Sequence, residues 1–192
     1  MTIKAGVRAL GVAESYEESD STLAGAVVRA DRVVDDIGFG RCTVGGTDAT
    51  EAVASLVDRV GRPDVRYVLI AGVAPAWYNV LDLETVAAES DCPVLSVSFE
   101  GSEGLEEPLR AAFEGDALKR RLETYRAQPA RRPVTVGDDE TVYVRSVGVD
   151  DTEAAEVVRA FTPEGGRPEP LRVARLAARG ADAYARELAD GE

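Results

Sequence analysis

Three carboxylates stand where elements of the chain are expected to meet. Glu14 follows a short apolar segment, and Asp48 and Asp82 each precede a helical pattern. Hard oxygen ligands suit magnesium or manganese, which can polarise a phosphate and activate water. We therefore predict that Glu14, Asp48 and Asp82 are catalytic and metal-binding residues. The alternative for Asp48 and Asp82 is helix capping, and for Glu14 it is a surface acid among 35 acidic residues.

Several other kinds of chemistry are excluded or disfavoured by the residues present. The chain has no histidine, which removes Ser–His and Cys–His nucleophile pairs and histidine metal ligands. Cys42 and Cys92 are the only cysteines and lie far apart, so neither a zinc site nor a disulfide is expected. The segment 45–47 precedes a helix but lacks the spacing and the lysine of a phosphate-binding loop. A plain helix-entry turn is predicted there.

Aromatic and basic side chains form a second candidate set, which suits nucleic acid. Exposed aromatic rings can stack on bases, and arginines can hold phosphates. A basic stretch from Lys119 to Arg132 contains only one acid, and a late helix carries arginines on one face. The alternatives are that the aromatic rings pack over the end of the sheet, that Asn79 caps a helix, and that the arginines pair with the surplus of acidic side chains. The predicted nucleic-acid-binding residues are Trp77, Tyr78, Asn79, Arg120, Arg121, Arg172 and Arg175.

Charge and composition limit the classes of protein to which this chain can belong. The formal net charge is -13, and Lys4 and Lys119 are the only lysines among 22 basic residues. An acidic, lysine-poor surface favours a halophilic source, with an acidic protein from a GC-rich genome as the alternative. With 45% apolar residues, one domain over 1–192 is expected, with a helical C-terminal elaboration at about 150–192. No apolar stretch is long enough to span a bilayer and no signal peptide is evident, so a cytoplasmic protein is expected.

Apolar runs, helical spacing and turn residues predict the elements that must position these residues. The first three strands follow one another directly, with a bulge predicted at Gly38 and Gly40 in the third and an acidic loop or hairpin tip at 16–21. The predicted strands are 7–12, 23–29, 32–43, 67–70, 93–99, 134–136 and 142–149. The predicted helices run from Asp48 to Gly61 and over 81–89, 105–113, 117–127, 152–161 and 170–188.

This order of elements predicts an α/β fold of the ribonuclease H-like class. Its mixed sheet begins with three antiparallel strands, continues with parallel strands and is flanked by helices. In such a sheet the first strand lies beside the strand that follows the first helix. Ligands gather at the carboxyl ends of strands in α/β sheets, so we expect the site near 13–14 and 71–72.

Four segments carry a resemblance to a known family. The chain resembles the archaeal domain of unknown function 99 family, also called endonuclease dU, which is similar to endonuclease V. The resemblance implies a ribonuclease H-like fold and a magnesium-dependent nuclease that cuts near deaminated bases. The segments that carry it are GTDATEAV (Gly46–Val53), YNVLDLE (Tyr78–Glu84), CPVLSVS (Cys92–Ser98) and PEPLRVARLAARG (Pro168–Gly180).

The chain also departs from the family pattern. Members carry an Asp-Asp pair after the first strand, where this chain has Ala13 and Glu14, and an acid after the central strand, where it has Ala71. Asp48 and Asp82 match family acids. Alanine cannot coordinate a cation, so two ligand positions have been emptied.

Two functions follow from the resemblance and from these departures. The first is a nuclease that acts on deaminated DNA or RNA with magnesium or manganese at a rebuilt acidic site. The second is a catalytically inactive relative that binds nucleic acid or a protein partner.

Overall fold

Seven strands and seven helices make up the computed structural model, which describes residues 2–16 and 19–190. The strands are β1 (Arg8–Tyr16), β2 (Asp20–Arg29), β3 (Val34–Thr43), β4 (Val65–Ala71), β5 (Val94–Ser98), β6 (Arg132–Val136) and β7 (Glu140–Val147). The helices are α1 (Ala49–Val60), α2 (Pro75–Tyr78), α3 (Leu83–Ser90), α4 (Glu106–Ala112), α5 (Gly115–Ala127), α6 (Asp151–Ala160) and α7 (Glu169–Asp190). None of these helices is long and apolar enough to cross a membrane.

All seven strands form one mixed sheet in the order β3-β2-β1-β4-β5-β7-β6. The first three strands are antiparallel, β1, β4 and β5 are parallel, and β7 and β6 complete the sheet in antiparallel pairs. Val12 of β1 lies beside Ile70 of β4, which confirms the predicted neighbourhood of the first strand and the strand after the first helix. The predicted α/β fold of the ribonuclease H-like class is confirmed.

Helices cover both faces of the sheet, which explains why its central strands are continuous apolar runs. On one face, α1 and α3 pack on a core that includes Leu10, Leu56 and Ile70. On the other face, α6 and α7 pack on Leu69 and Leu95 and their neighbours. Each fully buried aliphatic side chain of this kind contributes about 1.5–3 kcal/mol of transfer free energy.

The start of α7 fits against the sheet because the first strand has no side chain there. A Cβ atom at Gly11 would lie 2.2 Å from the backbone carbon of Pro170. Small residues continue this contact, since Ala13, Ala26 and Ala174 share one buried cluster. The long amphipathic helix can therefore run close over β1 and β2 and carry its arginines to the end of the sheet.

One local prediction is corrected and another is confirmed. The bulge lies at Asp35, where the β2–β3 register shifts between Val27 and Val28, and not at Gly38 or Gly40. Gly38 instead lets α1 approach, because a Cβ atom there would lie 2.9 Å from Val60. Of the two alternatives predicted for 16–21, a loop or a hairpin tip, the hairpin is confirmed, since Tyr16 and Ser21 pair at the ends of the antiparallel strands β1 and β2. Residues 17 and 18 lie outside the described part of the chain.

Candidate functional site

A pocket opens where the parallel strands end. Ala13 and Glu14 of β1, Ala71 at the end of β4 and Ser98 of β5 line it, and its volume is about 310 Å³. Parallel strands bring their carboxyl ends to one edge of the sheet, so this position follows from the topology. We call this cavity the strand-end pocket. It lies at the edge where the sequence predicts a site.

The ligand set of the strand-end pocket does not fit a divalent metal ion. Ala13 is only 5% exposed and packs beneath α7, and Ala71 offers no oxygen ligand from its side chain. Among the described residues, Glu14 and Glu100 are the only carboxylates that line the pocket. Within residues 2–16 and 19–190, no three Cys, Asp or Glu side chains gather closely enough to hold a metal. Magnesium and manganese bind through carboxylates and complete their shells with water, but the described lining sets two carboxylates against four arginines, a charge balance that favours an anion over a cation.

Glu14 is held on the side of the pocket nearest β2. Its Oε2 accepts a hydrogen bond of 3.1 Å from the Ser21 hydroxyl. Burial raises the pKa of Glu14 above its usual value, and the Ser21 bond, a backbone hydrogen bond from Ala76 and the charge of Arg175 only partly offset that effect. The carboxyl group is therefore more readily neutral than that of an ordinary glutamate.

Asp48 closes the turn before α1. It accepts hydrogen bonds from the Thr43 amide at 3.1 Å, from the Thr43 hydroxyl at 2.8 Å and from Asn79 Nδ2 at 2.6 Å. Burial alone would raise the pKa of Asp48, but these hydrogen bonds outweigh it and lower the pKa. The carboxylate is thus held ionised by its own loop.

Asp82 caps α3 and takes no part in the strand-end pocket. Its side chain accepts from the Glu84 and Thr85 amides and from the Thr85 hydroxyl. With Arg120, it lines a second pocket of about 260 Å³. The described residues therefore do not bring Glu14, Asp48 and Asp82 together as one ligand set, because local hydrogen bonds hold the two aspartates in separate turns.

Four arginines surround the strand-end pocket. Arg131 donates to the Ser102 hydroxyl and carbonyl, and its guanidinium lies 4.6 Å from the Tyr143 ring centroid. Arg145 of β7 donates to the Pro129 carbonyl and to the Tyr125 hydroxyl. Arg167 lies 4.0 Å from the Phe99 ring centroid. The fourth is Arg175 of α7. Ring faces and carbonyls thus orient the first three of these cations without neutralising them.

None of these four guanidinium groups has a carboxylate oxygen within 4.0 Å among the described residues. Burial lowers the pKa of Arg145, and the charge of Arg131 lowers it further. Burial likewise lowers the pKa of Arg167, with a contribution from Arg175. In a chain with net charge -13, a group of four cations without carboxylate partners among the described residues is unexpected; Arg131, Arg145 and Arg167 are partly buried, and Arg175 is exposed. The pocket is arranged to receive an anion.

A family model described as endonuclease dU matches residues 5–182. The chain belongs to the endonuclease dU family. Among relatives, the UPF0215 protein of Pyrobaculum calidifontis is 35% identical over 178 residues, which cover 91% of this chain and 97% of that protein.

Solved structures agree with the fold of this endonuclease dU family member. A protein of unknown function from Archaeoglobus fulgidus has a TM-score of 0.77 at 24% identity and covers 91% of this chain and 97% of its own. Endonuclease V of Ciona intestinalis, in complex with DNA containing an inosine, has a TM-score of 0.62 at 12% identity. That match covers 100% of this chain and 90% of the Ciona chain. These likenesses show the ribonuclease H-like fold.

Two residues predicted to bind nucleic acid are buried in this family member. Asn79 is 0% exposed, accepts from the Ala49 amide and donates to the Thr43 carbonyl and to Asp48. Arg121 is 5% exposed, and its guanidinium donates to carbonyls of neighbouring loops. Both side chains bond to the protein itself, so the structure gives them a structural role.

The other predicted nucleic-acid contacts are divided between the pocket and the surface. Tyr78 and Arg175 line the strand-end pocket. Trp77 is 46% exposed and packs against Phe113, with ring centroids 5.2 Å apart. Arg172 pairs with Glu169 at 2.6 Å on the surface of α7. Arg120, as described above, lines the second pocket.

Sequence reasoning missed Arg145 and Arg167 as site residues. One signal for Arg145 was present, since it stands between apolar residues of a predicted strand, where a charge requires an explanation. Arg167 lies in a Pro/Gly-rich linker, and no local pattern in the sequence indicates that it reaches the sheet edge.

Proposed function

We propose that this protein binds nucleic acid at the strand-end pocket, and that its arginines hold phosphate groups without a metal ion between them. The observation that carries the proposal is the set of four arginines at the carboxyl ends of β1, β4 and β5, for which residues 2–16 and 19–190 supply no carboxylate partner. Guanidinium groups bind phosphate oxygens with paired hydrogen bonds, and such contacts dominate affinity for nucleic acid.

Charge distribution and family membership support the same proposal. A chain with net charge -13 repels a polyanion overall, so binding requires a local concentration of cations. The strand-end pocket supplies one. Ciona endonuclease V, which shares the fold, is bound to inosine-containing DNA, and this supports DNA as a partner. RNA carries the same phosphate chemistry and belongs in the same test.

Fluorescence anisotropy with labelled single-stranded DNA, duplex DNA and RNA across a salt titration tests the proposal. We expect salt-sensitive binding that weakens at least tenfold, about 1.4 kcal/mol, in Arg145→Gln and Arg167→Gln. Arg62→Gln is the matched control, because Arg62 pairs with Asp64 before β4, at the opposite edge of the sheet. Equal binding by all three variants and the unmodified protein would contradict the proposal.

A second candidate is metal-dependent cleavage of deaminated DNA or RNA, which the endonuclease dU match favours. Its candidate residues remain Glu14, Asp48 and Asp82, with magnesium or manganese as the cofactor. Uracil- and inosine-containing DNA and RNA, incubated with each metal, provide the assay. If cutting requires the metal and is lost in Glu14→Gln, this candidate replaces the metal-free proposal. If no product forms beyond that of a buffer blank, the candidate is rejected.

A further inference from the structure

The strand-end pocket has the size and the charge of a site for one phosphorylated group. Its volume of about 310 Å³ is near the lower limit of small-molecule sites, which run from roughly 300 to 1,000 Å³. Four guanidinium groups face two carboxylates, Glu14 and Glu100, so the lining carries an excess of positive charge. A ligand that matches the pocket is therefore compact and anionic.

The four arginines reach the pocket from two sides of the sheet. Arg131 and Arg145 lie on the side of α5, where Arg145 contacts Tyr125 of that helix. Arg167 lies in the linker just before α7 and Arg175 lies within that helix, on the opposite face. Within each pair, the positive charge of one arginine disfavours that of the other. An anion between the two pairs would relieve both repulsions at once.

Hydrogen-bond donors that have no acceptor among the described residues complete the surface of the strand-end pocket. No described residue accepts a hydrogen bond from the Arg167 or Arg175 side chain, and Arg145 uses only two contacts of its five donors. The Ser98 and Ser102 hydroxyls line the same cavity. A group with three exposed oxygens can use more of these donors than a bridging phosphate with two.

We infer that the strand-end pocket binds a phosphomonoester, that is, a terminal phosphate, in preference to the phosphodiester of a continuous strand. A phosphomonoester carries a charge of about -1.5 to -2 at neutral pH and three free oxygens, whereas a phosphodiester carries about -1. This inference rests on the proposed function in that both use the same arginines. The terminal phosphate comes either from the end of a nucleic acid strand or from a free mononucleotide.

Isothermal titration calorimetry with four probes tests the inference. The probes are an oligonucleotide with a 5′-phosphate, the same oligonucleotide with a 5′-hydroxyl, adenosine monophosphate and adenosine. We expect at least tenfold tighter binding of each phosphorylated probe than of its unphosphorylated counterpart. That preference should disappear in Arg145→Gln and Arg167→Gln and persist in Arg62→Gln. Thermal melting of each variant confirms that it is folded.

The outcomes separate the inference from the proposed function. Equal, arginine-dependent binding of both oligonucleotides would support nucleic acid binding but overturn the preference for a terminal phosphate. Binding of adenosine monophosphate alone would support the inference, identify a free nucleotide as the source and contradict the proposed function. A preference for phosphorylated probes that survives in both pocket variants would overturn the inference, because the site would then lie elsewhere.

Discussion

Two regions of this molecule hold arginines and use their hydrogen-bond donors in opposite ways. Around Arg121, the guanidinium donates to carbonyls of Tyr78, Ala117, Gly45 and Gly46. We call this set the Arg121 clamp. Arg131 and Arg167 of the strand-end pocket contact aromatic rings, as Arg121 does with Phe113 at 3.8 Å, but they keep more of their hydrogen-bond donors free. A buried arginine whose donors are all directed at the backbone stabilises the fold, whereas one with open donors is available to a ligand.

Two carboxylates show the same contrast. Hydrogen bonds from Asn79 and Thr43 lower the pKa of Asp48 despite its partial burial. Burial raises the pKa of Glu14, which has fewer compensating partners. The Asp48 turn therefore satisfies its charge internally, while the pocket leaves Glu14 incompletely compensated. This difference separates the structural turn from the binding site.

The largest expected effect is on the Arg121 clamp. The clamp holds α2, where Ala76, Trp77 and Tyr78 have φ values of 47°, 53° and 62°. Such left-handed backbone costs about 1–2 kcal/mol per residue, and surrounding bonds must offset that cost. Arg121→Gln should therefore reduce the free energy of unfolding by about 3 kcal/mol. Urea denaturation measures this change.

The adjacent Arg120 is exposed and provides the control for that prediction. Arg120→Gln should leave the midpoint of the urea transition nearly unchanged. If Arg121→Gln were as stable as Arg120→Gln, the clamp would not be a stabilising element, and the contrast between the two regions would fail.

A smaller effect is expected when an acid is placed in the strand-end pocket. Ala71→Asp adds a carboxylate at the position where the resemblance to the family implies one, in a pocket that is lined by four arginines. We expect it to weaken binding of adenosine monophosphate about tenfold, or about 1.4 kcal/mol, because the carboxylate competes for the guanidinium groups. Ala71→Asn is the matched neutral control and should retain most of the affinity. A gain of magnesium binding in Ala71→Asp, seen by calorimetry, would instead favour an emptied metal site.

The smallest expected effects concern pH. Because the pKa of Asp48 is lowered on folding, its contribution to stability is present above its usual value of 3.8 and lost as the pH falls through the folded pKa. Because the pKa of Glu14 is raised, its ionisation reduces stability as the pH rises from 4.5 through the folded pKa. At neutral pH, Asp48→Asn should lower the Tm and Glu14→Gln should raise it modestly. Tm shifts of the same sign in the two variants would contradict the contrast between Asp48 and Glu14.

Much of the fold follows from local sequence patterns. Apolar runs such as 67–70 and 93–99 are long enough for strands and too short for helices, and Asp82 and Asp150 cap helices as their residue types favour. The α2 turn was not predicted, because three successive non-glycine residues in left-handed backbone have no sequence signature. Contacts between distant segments hold that turn in place.

The residues of the candidate site were harder to predict from the sequence than the fold was. Arg120 and Arg121 are neighbours in one basic stretch, yet one is exposed and the other is buried against Gly45 and Gly46, about 75 residues earlier. The pocket arginines likewise come from separate segments. Pattern alone singled out Glu14, Tyr78 and Arg175 as separate candidates, and all three line the pocket, while the convergence of the remaining arginines depends on the tertiary fold.

The central claim is that the strand-end pocket is an anion site rather than a divalent metal site. Crystals soaked with tungstate, as a phosphate analogue, and with manganese would test it through anomalous scattering. The account predicts a tungstate peak between Arg145 and Arg167 and no manganese peak beside Glu14. A manganese peak coordinated by Glu14, with no oxyanion among the arginines, would contradict it.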